Sequence, residues 1–406
     1  MAPRIVIVGA SLGGLRTLEG LVNAGFDPAA ITIVGDEAHR PYNRPPLSKE
    51  LVTDPKAEGL AAAFDRVAFR IRPELEAAGW RLGAGAKALS LAAREVRLAD
   101  GASVPFDVLV AATGLKPRHL PLAGAWGERI TVHRLEDSVR LRAALRPGAR
   151  VVIAGGGFVG CEVASVAVSL GCRVSLISRA ALPMARVLGA PFAAAMLDLH
   201  RSRGVSVVAP AEVCGLETAA DGRLAAVTLT TGERLEADVL VEAIGSDPAV
   251  GWMAGNGLDL SDGLLTTNDL RVEDRDDLWA VGDIARFPNP LFDAVPRRVE
   301  HWCIPGFTAR RVADGLAARL LGKEMPQKPF APLPTFWSDQ HGLRLQSFGL
   351  PALGEESEIL AGSLDGAAGI LAGVAVGYRR GGQPVGVATI GLPPQQAMRQ
   401  RAFLSA

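Results

Sequence analysis

The chain has 406 residues, with 43 Lys plus Arg against 43 Asp plus Glu, so it carries no net positive field to hold a polyanion, and nucleic acid is excluded as a general partner. A hydrophobic content of 49% marks a globular chain rather than a disordered one, and the length suits roughly two to four domains. The four cysteines, Cys161, Cys172, Cys214 and Cys303, show neither disulfide-framework density nor a CxxC zinc spacing, which makes a reducing, cytoplasmic compartment the expectation.

In chain order, the apolar run after Arg4, Ile-Val-Ile-Val, is broken at once by Gly9, with no signal-peptide cleavage region behind it. It reads as a strand, a glycine turn, a small-residue helix and a second strand, Ile31-Thr-Ile-Val34, which together make a βαβ unit. Residues 96–114 then read as a hairpin turning at Asp100-Gly101, followed by a buried strand that ends in a glycine. Residues 151–172 are long enough for a membrane span and contain one charge, Glu162, but Gly155, Gly156, Gly157 and Gly160 divide them into strand, turn and helix. Residues 227–245 align without a gap to 96–114 over 19 positions, nine of them identical and including the D-V-L-V core, with the turn at Thr231-Gly232. The chain therefore carries a duplicated module. Beyond it lie a further strand ending in Gly282-Asp283, a linker at 326–334 (PQKPFAPLP), and a tail of short strands and glycine turns that closes with a helix at 394–403.

The duplicated turns suit dinucleotides. Gly9 allows the tight turn, Gly13 or Gly14 the close helix approach, and Ser11 replaces the middle glycine while staying small enough for a phosphate to reach the backbone. Asp36 or Glu37 follows the second strand, placed to accept a ribose hydroxyl. In the second module Gly155, Gly157 and Gly160 supply all three glycines, but Ser178 and Arg179, with Arg186 nearby, stand where an acid is usual. A cation there suits a 2′-phosphate, which leaves NADPH open beside NADH. A ligand-free βαβ turn is the bland alternative, and the duplication weighs against it. The six histidines have no HxxxH or HExxH spacing, and no GxSxG or P-loop occurs, so no metal site is expected.

Taken together and in order, GASLGG at 9–14, PYNRPPLSKE at 41–50, AATG at 111–114, GGGFVGCEVA at 155–164, AVGD at 280–283 and FWSDQ at 336–340 resemble the FAD-dependent, NAD(P)H-dependent ferredoxin reductases that serve cytochromes P450 and ring-hydroxylating dioxygenases. That family lies within the pyridine nucleotide-disulfide oxidoreductase superfamily, and the resemblance covers nearly the whole chain. It implies an α/β chain with the glutathione reductase-like fold: two Rossmann-like dinucleotide-binding domains plus a C-terminal α+β interface domain. The boundaries expected are 1–115 and 246–325 for a discontinuous FAD domain, 116–245 for the NAD(P)H domain and 326–406 for the interface domain.

The resemblance further implies FAD with its adenosine near Asp36 and its pyrophosphate near Gly13. Arg44, Ala86, Thr113, Gly114 and Arg134 would add contacts, and Asp283 would hold the ribityl chain or pyrophosphate. Trp302 and Trp337 would border the isoalloxazine. Lys49 and Glu162 would form a catalytic charge pair near flavin N5, one from each module, where an ammonium offsets the negative charge that arrives with a hydride. Phe158 and Val159 would line the nicotinamide side, Phe158 covering the flavin or simply packing. Disulfide-reducing relatives carry a CxxxxC pair at the place of Arg44 and Lys49, and neither is cysteine here. Electrons would then leave the flavin directly for a [2Fe–2S] ferredoxin, with no membrane partner. Paired arginines at 297–298 and 310–311 are candidates for docking an acidic ferredoxin.

Three positions depart from the family pattern: His133 stands where an arginine is expected, with Arg134 next to it; Cys-Ile-Pro-Gly-Phe follows Trp302; and the acid is missing at Ser178. The rival readings are a flavoenzyme acting directly on a small biosynthetic substrate, prompted by the altered 303–307 segment, and a non-catalytic NAD(P)H-sensing flavoprotein.

Overall fold

The computed structural model describes residues 2–405. The chain forms two compact units: Met1–Asn43, Val67–Lys116 and Asp247–Pro334 make the first, and Arg44–Arg66, Pro117–Ser246 and Thr335–Ala406 make the second.

In the first unit a five-stranded parallel sheet runs Leu278–Ala280, Val108–Ala111, Ile5–Val8, Ile31–Val34, Gly79–Arg81. Its central strands IVIV and VLVA are buried at every position, as expected of a parallel sheet covered on both faces, where side chains on either side of the pleat must be apolar. The helices Leu12–Asn23 and Ile304–Leu321 pack together, and a Cβ on Gly20 would come within 2.8 Å of Ala313 Cβ. Gly315 similarly makes room for the Trp279 ring. Small residues thus set the helix spacing.

The second unit repeats this plan. Its parallel sheet runs Ser206–Val208, Arg173–Ile177, Arg150–Ala154, Val239–Glu242, Arg129–Ile130. Residues 151–172 resolve into a strand, a turn and the 12-residue helix Phe158–Ser169, and among the described residues no helix is long and apolar enough to cross a membrane. The tail forms a five-stranded antiparallel sheet in the order Thr335–Gln340, Leu343–Gly349, Gln383–Ile390, Val374–Arg380, Glu356–Ala361, followed by the helix Pro394–Gln400.

The duplicated hairpins form as expected. Glu95–Leu98 pairs with Ser103–Pro105 and Leu224–Leu229 with Arg234–Glu236, both antiparallel, and Gly101 and Gly232 adopt φ of +88° and +84° at the turns. Each hairpin leads into an aspartate that clamps the arginine at the start of the neighbouring strand. Asp107 accepts from Arg4 N at 2.8 Å, Nε at 3.1 Å and Nη2 at 2.8 Å. Asp238 accepts from the same three atoms of Arg150 at 2.8, 3.1 and 2.5 Å. The Arg4 hydrogen bonds pull the Asp107 carboxyl down to about 2. Both pairs are solvent-accessible and add little stability, but backbone and side chain engaged together set the register of the two central strands.

One defect in the second unit is repaired from the tail. The helix Ala185–Ser202 breaks its geometry at Gly189 (φ +74°), so Leu188 ends the first helical segment and its carbonyl needs a partner from outside the helix. Tyr378, on the strand Val374–Arg380, donates its hydroxyl to that carbonyl at 2.7 Å in a buried setting. Tyr378→Phe should leave the carbonyl unsatisfied and cost about 1–3 kcal/mol. The check is a lowered Tm together with faster amide exchange confined to residues near 188–192; an unchanged exchange pattern would refute this account of the kink.

Candidate functional site

Each unit builds one nucleotide-type turn by the same contacts. A Cβ on Gly9 (φ +123°) would strike the Ala112 carbonyl, and one on Gly155 (φ +118°) would strike that of Ala243. A Cβ on Gly14 would run into the Gly9 carbonyl, as one on Gly160 would into that of Gly155. Gly14 is therefore the close-packing glycine of the first turn, whereas Gly13 faces Val281 and Pro305. Helical bonding starts only with Leu15 N to Ser11 O (2.9 Å) in one turn and Cys161 N to Gly157 O (3.0 Å) in the other. The preceding N–H groups of each helix point out of its N-terminus, where an anion is favoured. A Cβ on Gly157 would meet nothing within 4 Å, so that cradle is open. These donor sets fit a pyrophosphate in both units.

The strand registers identify equivalent positions beyond the turns. Val8 pairs with Val34 and Ala154 with Ile177, which makes Gly35 equivalent to Ser178 and Asp36 equivalent to Arg179. Asp36 and Arg179 are both exposed. Ser178 is buried, its hydroxyl donates to Ala180 O at 2.7 Å, and a Cβ on Gly156 would come within 2.8 Å of it. In the first unit the crowding is exchanged: Ala10 carries the methyl, and Gly35 is the small partner. Glu37 accepts a 2.6 Å hydrogen bond from the Tyr42 hydroxyl.

Other first-unit residues singled out from the sequence lie at element ends. Ala86 opens the strand Ala86–Ser90. Thr113 donates its hydroxyl to Ala249 O at 2.7 Å, and Gly114 follows it with φ +63°. Asp283 lies in the turn Gly282–Ile284 directly after the strand Leu278–Ala280, held by Gly282 N donating to Thr308 Oγ1 (2.9 Å) and Arg298 Nη1 donating to Asp283 O (3.0 Å). Trp302 is half-buried just before the helix Ile304–Leu321. The altered 303–307 segment is the start of that helix, with Ile304 fully buried and Pro305 against Gly282.

The second unit holds the charge pair. Lys49 Nζ lies 3.2 Å from Glu162 Oε1, with 9% and 6% of the two side chains exposed. Ser48 donates to Glu162 Oε2 at 2.5 Å and Ser338 to Oε1 at 2.6 Å, while Lys49 also reaches Pro45 O at 3.3 Å. Burial pushes the Glu162 carboxyl up, and Lys49 and the two hydroxyls offset this in part, leaving it above the usual carboxylate range. The two residues belong to one compact unit rather than one to each module, because Arg44–Arg66 groups with the second unit. The anchors are visible: Arg44 Nη1 donates to His133 O at 2.5 Å, Ser138 Oγ to Leu47 O at 2.9 Å, and Arg142 Nη1 to Val52 O at 3.2 Å.

Arg134 caps the helix Leu135–Ala144 with an exposed side chain, its backbone N–H donating to Asp137 at 3.0 Å. Trp337 is half-buried on the strand Thr335–Gln340. Phe158 packs against Phe336 with ring centroids 4.7 Å apart and planes tilted by 52°, and Val159 is 39% exposed beside it. Cys161 is fully buried and burial raises its thiol strongly, so it packs rather than reacts.

Of the four arginines in the two pairs, three are matched by carboxylates and Arg310 is exposed. Arg311 is buried against Asp269 (2.5 Å), Arg298 bonds Asp262 (2.6 Å) and Glu300 (2.8 Å), and Arg297 pairs with Asp293. These cations answer nearby carboxylates within their own unit. Sequence reasoning also missed Ser48, Ser338 and Gln340. The signal was available in FWSDQ, where Ser338 and Gln340 are two apart and so share one face of a strand.

A family model described as pyridine nucleotide-disulphide oxidoreductase matches residues 3–303, and one described as reductase C-terminal matches 335–406. Putidaredoxin reductase CamA of Pseudomonas putida is 35% identical over 89% of this chain and 83% of its own. The probable ferredoxin reductase CtmF of Castellaniella defragrans is 32% identical over 99% and 93%. The ferredoxin–NAD(+) reductase component of the anthranilate 1,2-dioxygenase system of Burkholderia cepacia is 34% identical over 88% and 84%. Among solved structures, the covalent putidaredoxin reductase–putidaredoxin complex matches with a TM-score of 0.88 at 30% identity, covering 100% of this chain and 94% of the other.

The buried pair should show strong coupling. Glu162→Gln strands the Lys49 ammonium and should cost roughly 3–5 kcal/mol, whereas adding Lys49→Met should recover much of that loss. A double-mutant cycle on thermal or denaturant stability checks this, and additive losses would show that the two charges do not depend on each other.

Proposed function

Because the chain belongs to the pyridine nucleotide-disulphide oxidoreductase family, we propose that it is an FAD-containing reductase that passes electrons from NADH to a [2Fe–2S] ferredoxin of a cytochrome P450 or dioxygenase system. The relatives named above support the acceptor class, and those named ferredoxin–NAD(+) reductase support the donor. FAD is assigned to the first unit's turn at 9–14 and the nicotinamide dinucleotide to the second unit's turn at 155–160, with 335–406 as the C-terminal domain. The four cysteines are free, in keeping with work in the reducing cytoplasm.

The observation that carries the reading is the Lys49–Glu162 pair, 3.2 Å apart and buried, on a segment where disulfide-reducing relatives carry their thiols. When bound, FAD supplies the chemistry of accepting a hydride and releasing electrons one at a time. The protein's part is electrostatic and positional. Lys49 keeps a cation in a water-poor setting, where it offsets developing negative charge far better than in solvent. Glu162 and Pro45 O fix where that ammonium stands. The glycine turns would hold the two pyrophosphates, Asp36 would accept from a ribose hydroxyl, and Phe158, backed by Phe336, would present an aromatic face to the nicotinamide. No side chain need act as a nucleophile. Within the altered 303–307 segment Ile304 and Pro305 pack inward and Phe307 is exposed, and the relatives named above favour a ferredoxin over a direct small-molecule substrate.

The test is anaerobic mixing of the purified yellow protein with NADH while following the flavin band near ~450 nm. Rapid bleaching, followed by reoxidation on adding a [2Fe–2S] ferredoxin, is expected; a flavin that neither NADH nor NADPH bleaches would refute the proposal. Lys49→Ala should retain FAD but slow bleaching at least about ten-fold, equivalent to ~1.4 kcal/mol at the barrier.

Arg179, at the position matching Asp36, is the residue that would let NADPH in. Arg179→Ala should lower kcat/KM for NADPH by about ten-fold and leave that for NADH within about two-fold. Equal changes for both cofactors would show that Arg179 does not read the 2′ position.

A further inference from the structure

Glu162 stands at the end of a buried polar chain that the proposed chemistry does not by itself require. Ser338 Oγ is 2.6 Å from Glu162 Oε1, and Gln340 Nε2 donates to Ser338 Oγ at 3.0 Å. His200 Nε2 lies 3.1 Å from Gln340 Oε1, and His341 Nε2 lies 2.9 Å from His200 Nδ1. Ser338, Gln340 and His200 are each 0% exposed. The chain is held on the helix that carries Glu162, because His341 N, in a left-handed turn at φ +52°, donates to Ser165 Oγ at 2.6 Å. Ser165 is three residues after Glu162 and therefore on the same helical face.

The donors run in one direction. Gln340 could in principle present either its amide nitrogen or its oxygen to Ser338. The sulfur of Met184 decides between them: Sδ lies 3.5 Å from Gln340 Nε2 and can only accept, so the nitrogen must face it. Gln340 Oε1 then faces His200 and requires an Nε2–H there. His200 Nδ1 is left as an acceptor and requires an Nε2–H on His341. Ser338 Oγ already receives the amide proton, and its single hydrogen has Glu162 as its partner.

We propose that Ser338, Gln340, His200 and His341 are positioning residues for the Lys49–Glu162 pair, forming a one-way hydrogen-bond chain that obliges the Ser338 hydroxyl to donate to the carboxylate and so holds Glu162 ionised against Lys49. The link to flavin reduction rests on the reductase reading; the chain itself does not. A carboxylate that accepts a hydrogen bond from a hydroxyl is favoured in its charged form, which opposes the upward push of burial. A protonated imidazole at His200 would turn Nδ1 into a donor facing another donor and break the chain. Burial prevents this, lowering His200 to about 4 and His341 to about 3, the latter also through His200 and Arg203. The charged or titratable groups facing Glu162 are Lys49 and the neighbouring Cys161; those facing the two histidines are each other and Arg203.

Two measurements on the FAD-loaded, full-length protein test the proposal. The first is nitrogen NMR of histidine-labelled protein, with the signals of the six histidines assigned by His200→Asn and His341→Asn. Both rings should be neutral Nε2–H tautomers that do not titrate between about pH 5.5 and 8; an Nδ1–H tautomer at either ring, or titration near its ordinary ~6.5, overturns the chain. The second is the pH dependence of anaerobic flavin bleaching by NADH. Ser338→Ala should retain FAD yet move the acid limb up by about one pH unit, a ten-fold gain in proton affinity at Glu162, and Ser338→Thr should restore it. A purely structural role would lower stability and leave the limb in place, which would overturn the proposal. Should the wild-type flavin resist NADH altogether, the reductase reading falls, and the tautomers still decide the chain.

Discussion

A carboxylate withdrawn from water costs several kcal/mol unless its neighbours replace the solvent it has lost, and the second unit is arranged around meeting that cost at Glu162. Three groups from two chain segments distant from its helix do so: Ser48 and Lys49 from one, Ser338 from the other. The need to bring Lys49 to this spot accounts for the anchoring of Arg44–Arg66, since Arg44, Ser138 and Arg142 all bond carbonyls that tie the segment to its surroundings. A buried ion pair is poor evidence for added stability. Its value is placement: an ammonium whose position is fixed by Glu162 and Pro45 O needs little reorganisation when it has to oppose a new charge.

The duplicated turns show how one backbone solution tolerates different side chains. Both copies put the first glycine against the carbonyl of an equivalent alanine, Ala112 or Ala243, and the last glycine against the first. Packing beneath the turn then has to be conserved in volume rather than identity. One copy pairs Ala10 with Gly35, and the other pairs Gly156 with Ser178. Ser178 therefore fills space that a methyl fills elsewhere, and the next residue outward, Asp36 in one copy and Arg179 in the other, is the one left exposed, where the proposed function would place a ribose. Opposite charges at equivalent positions are what two different nucleotides would call for.

Much of this was legible in the sequence, because local patterns dictate it. Continuous β-branched runs specified buried parallel strands, paired glycines the turns, and the 19-residue repeat the two hairpins, while the Asp107 and Asp238 clamps emerged only in the structure. The parts that escaped depend on contacts between distant segments. Nothing in the neighbourhood of His200 or Met184 signals that Gln340 lies between them. The partners of Arg311 and Arg298 were hidden for the same reason: Asp269 lies 42 residues before Arg311, and Asp262 lies 36 before Arg298, so these two cations look free along the chain and are matched in space.

The placement of Cys161 closes the argument about how electrons can move. A thiolate is the reactive form of cysteine, and it needs a positive or exposed setting. Cys161 has the opposite: complete burial and a neighbouring carboxylate, both of which raise its thiol. The cation in this region is already committed to Glu162, and the nearby hydroxyls point their protons at the same carboxylate. A polar network built to hold one negative charge is a poor place to stabilise a second. The arrangement that keeps Glu162 ionised thus also keeps the nearest cysteine inert, which fits a protein whose electrons pass through its cofactor without a covalent sulfur intermediate.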